Sequence, residues 1–272
     1  MHSTIPPTTQ YMFLVGLASL TAMGVGAVLF LPRIRPVELL REFVSTDWKY
    51  IGVAWVVTFV ANELAHRFRA ERTFTGLVYA VEGPAVAAFQ TVTAPALTAV
   101  FTAVYLVGLP FIALFTYFKL KAHDEGEARR YALAYVCLVA LATPFFLLFP
   151  VSIPALYPGV SVEGLAFKLS PVIEAGMFAT DTMVKAFPSL HTGLSVLAAL
   201  YARKAGTRYT WVATALAGAI VLSTFYLGIH WIVDAVAAVL LVLVAYWISR
   251  RVDPERLDPR RLPASGLRRL RS

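Results

Sequence analysis

Long apolar runs separated by short polar stretches dominate this chain. Tyr11 to Leu31, Thr91 to Phe118, Tyr131 to Pro150 and Tyr209 to Ile229 contain no charged residue. A helix rises about 1.5 Å per residue, so about 20 apolar residues cross the ~30 Å hydrocarbon layer, and each run is long enough. Three weaker candidates follow the same pattern: Trp48 to Ala65, which carries Glu63 near its end, Phe187 to Ala202, and Trp231 to Ser249, which carries Asp234. Thr73 to Gln90 is interrupted by Gly83 and Pro84 and is expected to lie in the membrane interface. The pattern predicts an all-α, polytopic transmembrane bundle of six or seven helices. Seven spans with the N-terminus outside is the preferred count.

Composition agrees, with 58% hydrophobic and 15% charged residues, which excludes an ordinary soluble domain. No Lys or Arg precedes the first apolar run, so it reads as a retained helix rather than a cleaved signal peptide. The single cysteine, Cys137, lies inside an apolar run and reads as a packing residue. A net charge of +8 would suit nucleic acid, but the positive residues sit beside predicted spans, which is the positive-inside pattern. Three basic clusters are expected on the cytoplasmic side: Lys119 and Lys121 through Arg129 and Arg130; Arg203, Lys204 and Arg208; and the Arg-rich stretch from Arg250 to the end. The front third is harder to orient, because Arg33, Arg35 and Arg41 and the stretch from His66 to Arg72 are both basic. The chain divides into N-terminal transmembrane and interfacial helices over 1–90, a catalytic bundle over 91–249 and a basic cytoplasmic tail over 250–272.

Working back from the tail, His191 and His230 share the extracytoplasmic face. Pro188 and Ser189 signal a helix start, with Ser189 as N-cap, and the free N–H groups of that helix end suit a phosphate. His230 and Asp234 stand four residues apart at the start of the last helix, so both side chains lie on one face. Asp234 can hold one ring nitrogen, fixing the tautomer and freeing the other nitrogen to attack phosphorus. His191 then acts as acid and base, a phosphohistidine is the intermediate, and no metal or other cofactor is required. An ionisable group this near hydrocarbon is a functional candidate in its own right.

The elements FPSLHTG, over 187–193, and GIHWIVD, over 228–234, resemble the signature of the type-2 phosphatidic acid phosphatase superfamily. The resemblance covers roughly Tyr131 to Ser249. It implies His230 as nucleophile, Asp234 as its partner, His191 as the acid and Ser189 as a phosphate-binding residue. The sequence departs from the phosphatase branch in that Ser223 is followed by Thr224 rather than arginine, and the upstream Lys and Arg-Pro element has no counterpart. Leu190 in place of glycine, and Phe149-Pro150 with Pro154, look more like the inositol phosphorylceramide synthase branch, whose members move a phosphoalcohol headgroup between lipids. Lys185 is the nearest replacement for the missing cations.

The expected substrate is a lipid phosphate or phospholipid in the bilayer, with no nucleic acid partner; lipid, acceptor and oligomeric state stay open. Competing readings are a transporter or channel with a His/Asp relay, which calls for charges near the bilayer centre, a catalytically inactive relative, and a metal-dependent hydrolase in which Asp181 supplies a further ligand. Glu63, Asn62 and His66, like Glu82, read as polar residues at helix ends. Tyr157, Phe178, Tyr226 and Trp231 suit an interfacial aromatic belt as well as a headgroup pocket.

Overall fold

The structure, a computed structural model, describes residues 5–31, 37–38, 41, 48–67, 73–180 and 183–252. Among them lie helices α1 (Pro7–Phe30), α2 (Trp48–Arg67), α3 (Thr75–Glu82), α4 (Pro95–Lys121), α5 (Glu125–Leu148), α6 (Pro171–Thr180), α7 (Leu190–Ala202), α8 (Thr207–Tyr226) and α9 (Ile232–Arg251). No β-strand occurs among these residues, only an isolated parallel bridge between Val151 and Lys185. Helices α1, α4, α5, α8 and α9 are long and apolar enough to cross a membrane, and the chain is an integral membrane protein. Helix α2 has the length but carries Lys49, Glu63 and Arg67, and is not among those five.

The Phe187 to Ala202 segment departs from expectation. Phe187 to Ser189 is non-helical and the helix starts at Leu190, so its 13 residues reach only about 20 Å. Thr73 to Gln90 folds as α3 and a separate 3-10 turn over Ala85–Gln90, divided at Gly83, and neither piece is long enough to cross. The basic tail beyond Val252, His2, Asp181, and the side chains of Asn62 and His66 lie outside the described residues.

Helix ends follow local chemistry. Asp124 caps α5 by accepting the Glu127 N–H at 3.1 Å, and Glu125 and Glu127 complement the positive end of the helix dipole. Arg250 and Arg251 sit in the last turn of α9, where cations are favoured. Within α4 the turn over Val104–Gly108 is π-helical. Pro110 follows it and has no N–H to give Leu106, so the regular ladder cannot continue through this point and the turn widens.

Apolar helices gain little hydrophobic energy by leaving lipid for one another, so packing and hydrogen bonds between them carry more weight. Tyr131 donates to the Ala113 carbonyl at 2.8 Å, Thr116 and Tyr209 share a bond of 2.8 Å, and Tyr201 and Ser249 one of 2.6 Å. These buried bonds tie α5 to α4, α4 to α8 and α7 to α9. At the opposite end of the bundle a second core gathers Val151, Ile153, Ala166, Phe225, Leu227 and Trp231. There the segments around 151–153 and 183–186 run side by side, joined by Val151 N–H to the Val184 carbonyl at 2.9 Å and Ala186 N–H to the Val151 carbonyl at 3.0 Å. This pairing carries Lys185 and Ala186 to the histidines.

Candidate active site

Two local structures deliver the histidines. Ser189 is the N-cap of α7, its Oγ accepting the Thr192 N–H at 3.2 Å, so His191 stands in the first turn. After α8 the chain turns through Leu227 and Gly228, and Ile229 and His230 both give their N–H groups to the Thr224 carbonyl, at 3.0 and 3.2 Å. Gly228 has φ +72, and an added Cβ would stand 2.6 Å from the Glu163 carbonyl, so only glycine fits. Ser189 N–H donates to the main-chain carbonyl of Asp234 at 3.1 Å, which bonds the two motifs directly.

His230 Nδ1 lies 2.9 Å from the Ala186 carbonyl and 3.3 Å from Asp234 Oδ2. A carbonyl can only accept, so Nδ1 carries the hydrogen and Nε2 holds the lone pair. The carbonyl is the nearer acceptor and shares with the carboxylate the orienting role that the sequence assigns to Asp234 alone. Asp234 Oδ2 also accepts the Trp231 N–H at 2.8 Å, capping its own helix. Asp234 is fully buried, and its Oδ1 has no hydrogen-bond partner among the described residues.

Glu82, at the end of α3, reaches the same helix start. Its Oε2 accepts the Val233 N–H at 2.9 Å. Burial pushes the Glu82 carboxyl up from its ordinary value; the bond from Val233 N–H opposes this, and the nearby Asp234 charge adds to it. Glu82 is therefore a cap for α9 and not a carboxylate reaching for solvent at a helix end.

His191 stacks on Tyr105, with ring centroids 3.9 Å apart and planes inclined by 11°. The ring centroids of His191 and His230 are 6.0 Å apart. Two cavities meet at this pair. One, of about 240 Å³, is bounded by Tyr11, Tyr105, Met177, Met183 and Ile229; the other, of about 420 Å³, by Phe59, Leu109, Val139, Phe146 and Leu194. Thr180, Lys185, His191 and His230 line both. Lys185 is the cation among the lining residues, with Nζ 5.9 Å from the centre of the Phe146 ring. Ser189 is buried behind the helix start and lines neither cavity.

Of the sequence candidates, His191, His230, Asp234 and Lys185 converge, with Ser189 one residue behind the cavity wall. Tyr105, the Ala186 carbonyl and Glu82 join them without having been singled out as site residues. Trp231 and Tyr226 are buried within the protein: Trp231 is fully buried and donates Nε1–H to the Ser152 carbonyl at 2.8 Å, while the buried Tyr226 hydroxyl lies 3.1 Å from the Thr98 hydroxyl. Thr224, where an arginine would stand in the phosphatase branch, is fully buried and spends its carbonyl on the turn. Among the described residues no three His, Cys, Asp or Glu side chains converge as a metal site.

No curated protein and no solved structure matches the chain. The family described as the PAP2 superfamily matches it over residues 77–248, more than half its length and all of the residues from α3 through the start of α9 that build the histidine site. The chain belongs to the PAP2 superfamily, whose members are generally phosphatases and phosphotransferases.

Proposed function

We propose that this protein is a metal-independent lipid phosphoryl-transfer enzyme that works through a phosphohistidine on His230, at the extracytoplasmic face of the membrane. The observation that carries the reading is the pair of acceptors at His230 Nδ1, which leaves Nε2 as the unprotonated nitrogen beside the cavity. In the first step Nε2 attacks phosphorus, the bond from phosphorus to the leaving oxygen breaks, and His191 gives that oxygen its proton; burial, with the His230 charge second, pushes the His191 imidazole down to about 3, so the negative charge of the bound phosphate is what holds the proton there. In the second step neutral His191 takes the proton of the acceptor hydroxyl, the new oxygen–phosphorus bond forms, and the phosphorus–nitrogen bond breaks. Asp234 offsets the positive charge that His230 acquires, the role of the carboxylate in a triad.

Lys185 and Ser189 are assigned to phosphate binding, Lys185 through its charge on both cavities and Ser189, which lines neither, through the helix start that it caps beside them. Transfer to a second lipid or alcohol is favoured over hydrolysis, in line with the inositol phosphorylceramide synthase-like departures. The specific observation is the buried Thr224: the cavity keeps Lys185 but lacks the arginine clamp that would hold a dianionic monoester. A phosphodiester carries less charge.

The test uses lipid phosphates, diphosphates and phospholipids in detergent micelles, with and without an alcohol acceptor. A new phospholipid that depends on His230 establishes transfer, and His230-dependent phosphate release establishes hydrolysis. Neither product across the panel turns the reading to a transporter or an inactive relative.

A further inference from the structure

The two cavities at the histidines differ in what encloses them. The smaller is walled by α1, α6 and the Tyr105, Leu106 and Pro110 stretch of α4, and by the irregular segments that carry Ile153, Met183 and Ile229. The larger lies among bundle helices, with Phe59 and Thr58 from α2, Leu109 from α4, Val139 and Phe146 from α5, and Leu194 from α7. Its charged group and imidazoles, Lys185, His191 and His230, are the ones it shares with the smaller cavity. The rest of its wall is carbon apart from the Thr180 and Tyr135 hydroxyls and Thr58, whose hydroxyl is turned back to its own helix.

Helix α2 lies outside the residues that match the family. It leans on the bundle through Ile51 and Ala54, both buried. Thr58 continues that inner face one turn further on, since positions 51, 54 and 58 share a helix face, and at Thr58 the packed contact opens into the cavity. The Thr58 hydroxyl is turned back to the Ala54 carbonyl at 2.9 Å, so the surface it offers the cavity is its methyl group.

We infer that the larger cavity receives the hydrocarbon chain of the phosphate-bearing substrate, with Thr58 and Phe59 of α2 setting which chains fit. This rests on the phosphoryl-transfer reading. One end of the cavity meets the cationic Lys185 and the histidines, which suits a phosphate, and the other meets apolar side chains of membrane helices, which suits the attached chain. A polar acceptor would lose its hydration there without new hydrogen bonds, and is assigned to the smaller cavity. A chain that leaves lipid for an apolar cavity gains little hydrophobic energy, so selection comes from shape, and side-chain volume at position 58 is the variable that controls it.

Two measurements on the full-length protein in detergent test this. Thr58→Trp and Phe59→Ala are compared with wild type on methyl alkyl phosphodiesters of increasing chain length, from the butyl diester upward, with the acceptor held constant. Thr58→Trp is expected to lower kcat/KM for long chains about 10-fold while the butyl diester stays within about twofold, and Phe59→Ala to shift preference to bulkier chains. Independently of turnover, an unreactive long-chain alkyl phosphonate with a photoreactive diazirine at its tail is crosslinked to wild-type protein and the labelled peptides are mapped. Label in α2 and α5 supports the assignment. Label confined to α1 and α6, or an equal change on long and short substrates, overturns it. Label in α2 and α5 without transfer of phosphorus to any acceptor keeps the chain site and removes the phosphoryl-transfer reading.

Discussion

The two ends of α9 solve one problem in different ways. Each must satisfy the unpaired backbone groups and the dipole of a 20-residue helix. At the tail end, Arg130 donates to the Ser249 carbonyl at 3.0 Å, and Arg250 pairs with Glu127 at 2.6 Å, with the Arg250 side chain 35% exposed. At the site end, Asp234 and Glu82 take the Trp231 and Val233 N–H groups, and each leaves one carboxylate oxygen without a hydrogen-bond partner among the described residues. The tail end is what helix stability alone asks for. The site end gathers two carboxylates, Asp234 fully buried and Glu82 half-buried, near a cavity proposed to take an anionic group, an arrangement that costs stability unless a histidine has to be held and its developing positive charge matched.

The largest effect that separates the ends is on turnover. His230→Ala is expected to lower kcat by about 10⁴-fold or more, with a lower thermal midpoint in detergent because the Ala186 carbonyl and Asp234 lose their shared partner. Asp234→Asn is expected to cost about 10–100-fold in kcat, less than loss of the nucleophile, because the Ala186 carbonyl still holds Nδ1–H and an amide oxygen can still accept the Trp231 N–H. A loss as large as that of His230→Ala would mean that the carboxylate alone sets the tautomer.

Glu82→Gln sharpens the comparison through pH. The native fold holds the Glu82 proton to higher pH than the unfolded chain does. Its contribution is therefore fully present below the ordinary value of 4.5 and is lost as pH rises through the raised value. Glutamine keeps the bond from Val233 N–H and does not titrate. Thermal midpoints measured between about pH 4 and pH 8 are expected to move in favour of Glu82→Gln as pH rises; a difference independent of pH would show that Glu82 titrates normally. The smallest effect belongs to the tail end, where Arg250→Gln is expected to cost about 0.2–1 kcal/mol, less at high salt, with activity unchanged.

The four charge-free spans were legible in the sequence because charge-free length is a property of consecutive residues, whereas the preferred count of seven exceeds the five helices long and apolar enough to cross; the Ser189 cap and the His230–Asp234 pair, which act within four residues, were legible too. What escaped depends on contacts between distant segments. The Ala186 carbonyl is backbone, and its position follows from pairing with Val151, far along the chain. Glu82 meets Val233 across 151 residues of sequence. Tyr105 sits in a charge-free run with nothing to mark it, and it comes to His191 on a π-helical turn. Trp231 and Tyr226 carry the composition of an interfacial belt, yet their polar atoms find partners inside the bundle, and burial follows from those partners. The short α7 has a related origin, since cap chemistry at Ser189 begins the helix after the apolar run has begun.

The central claim is that phosphorus passes through His230 Nε2. Wild-type protein without acceptor, and the His191→Ala variant, which slows both formation and release of the intermediate and so is followed to longer times, are mixed with lipid substrate labelled at phosphorus, quenched in alkali and digested for mass spectrometry. The account predicts an alkali-stable, acid-labile label on the peptide containing His230, at Nε2, that disappears when an acceptor is added to the wild type. Turnover without any label at His230, or label on another residue, would contradict it.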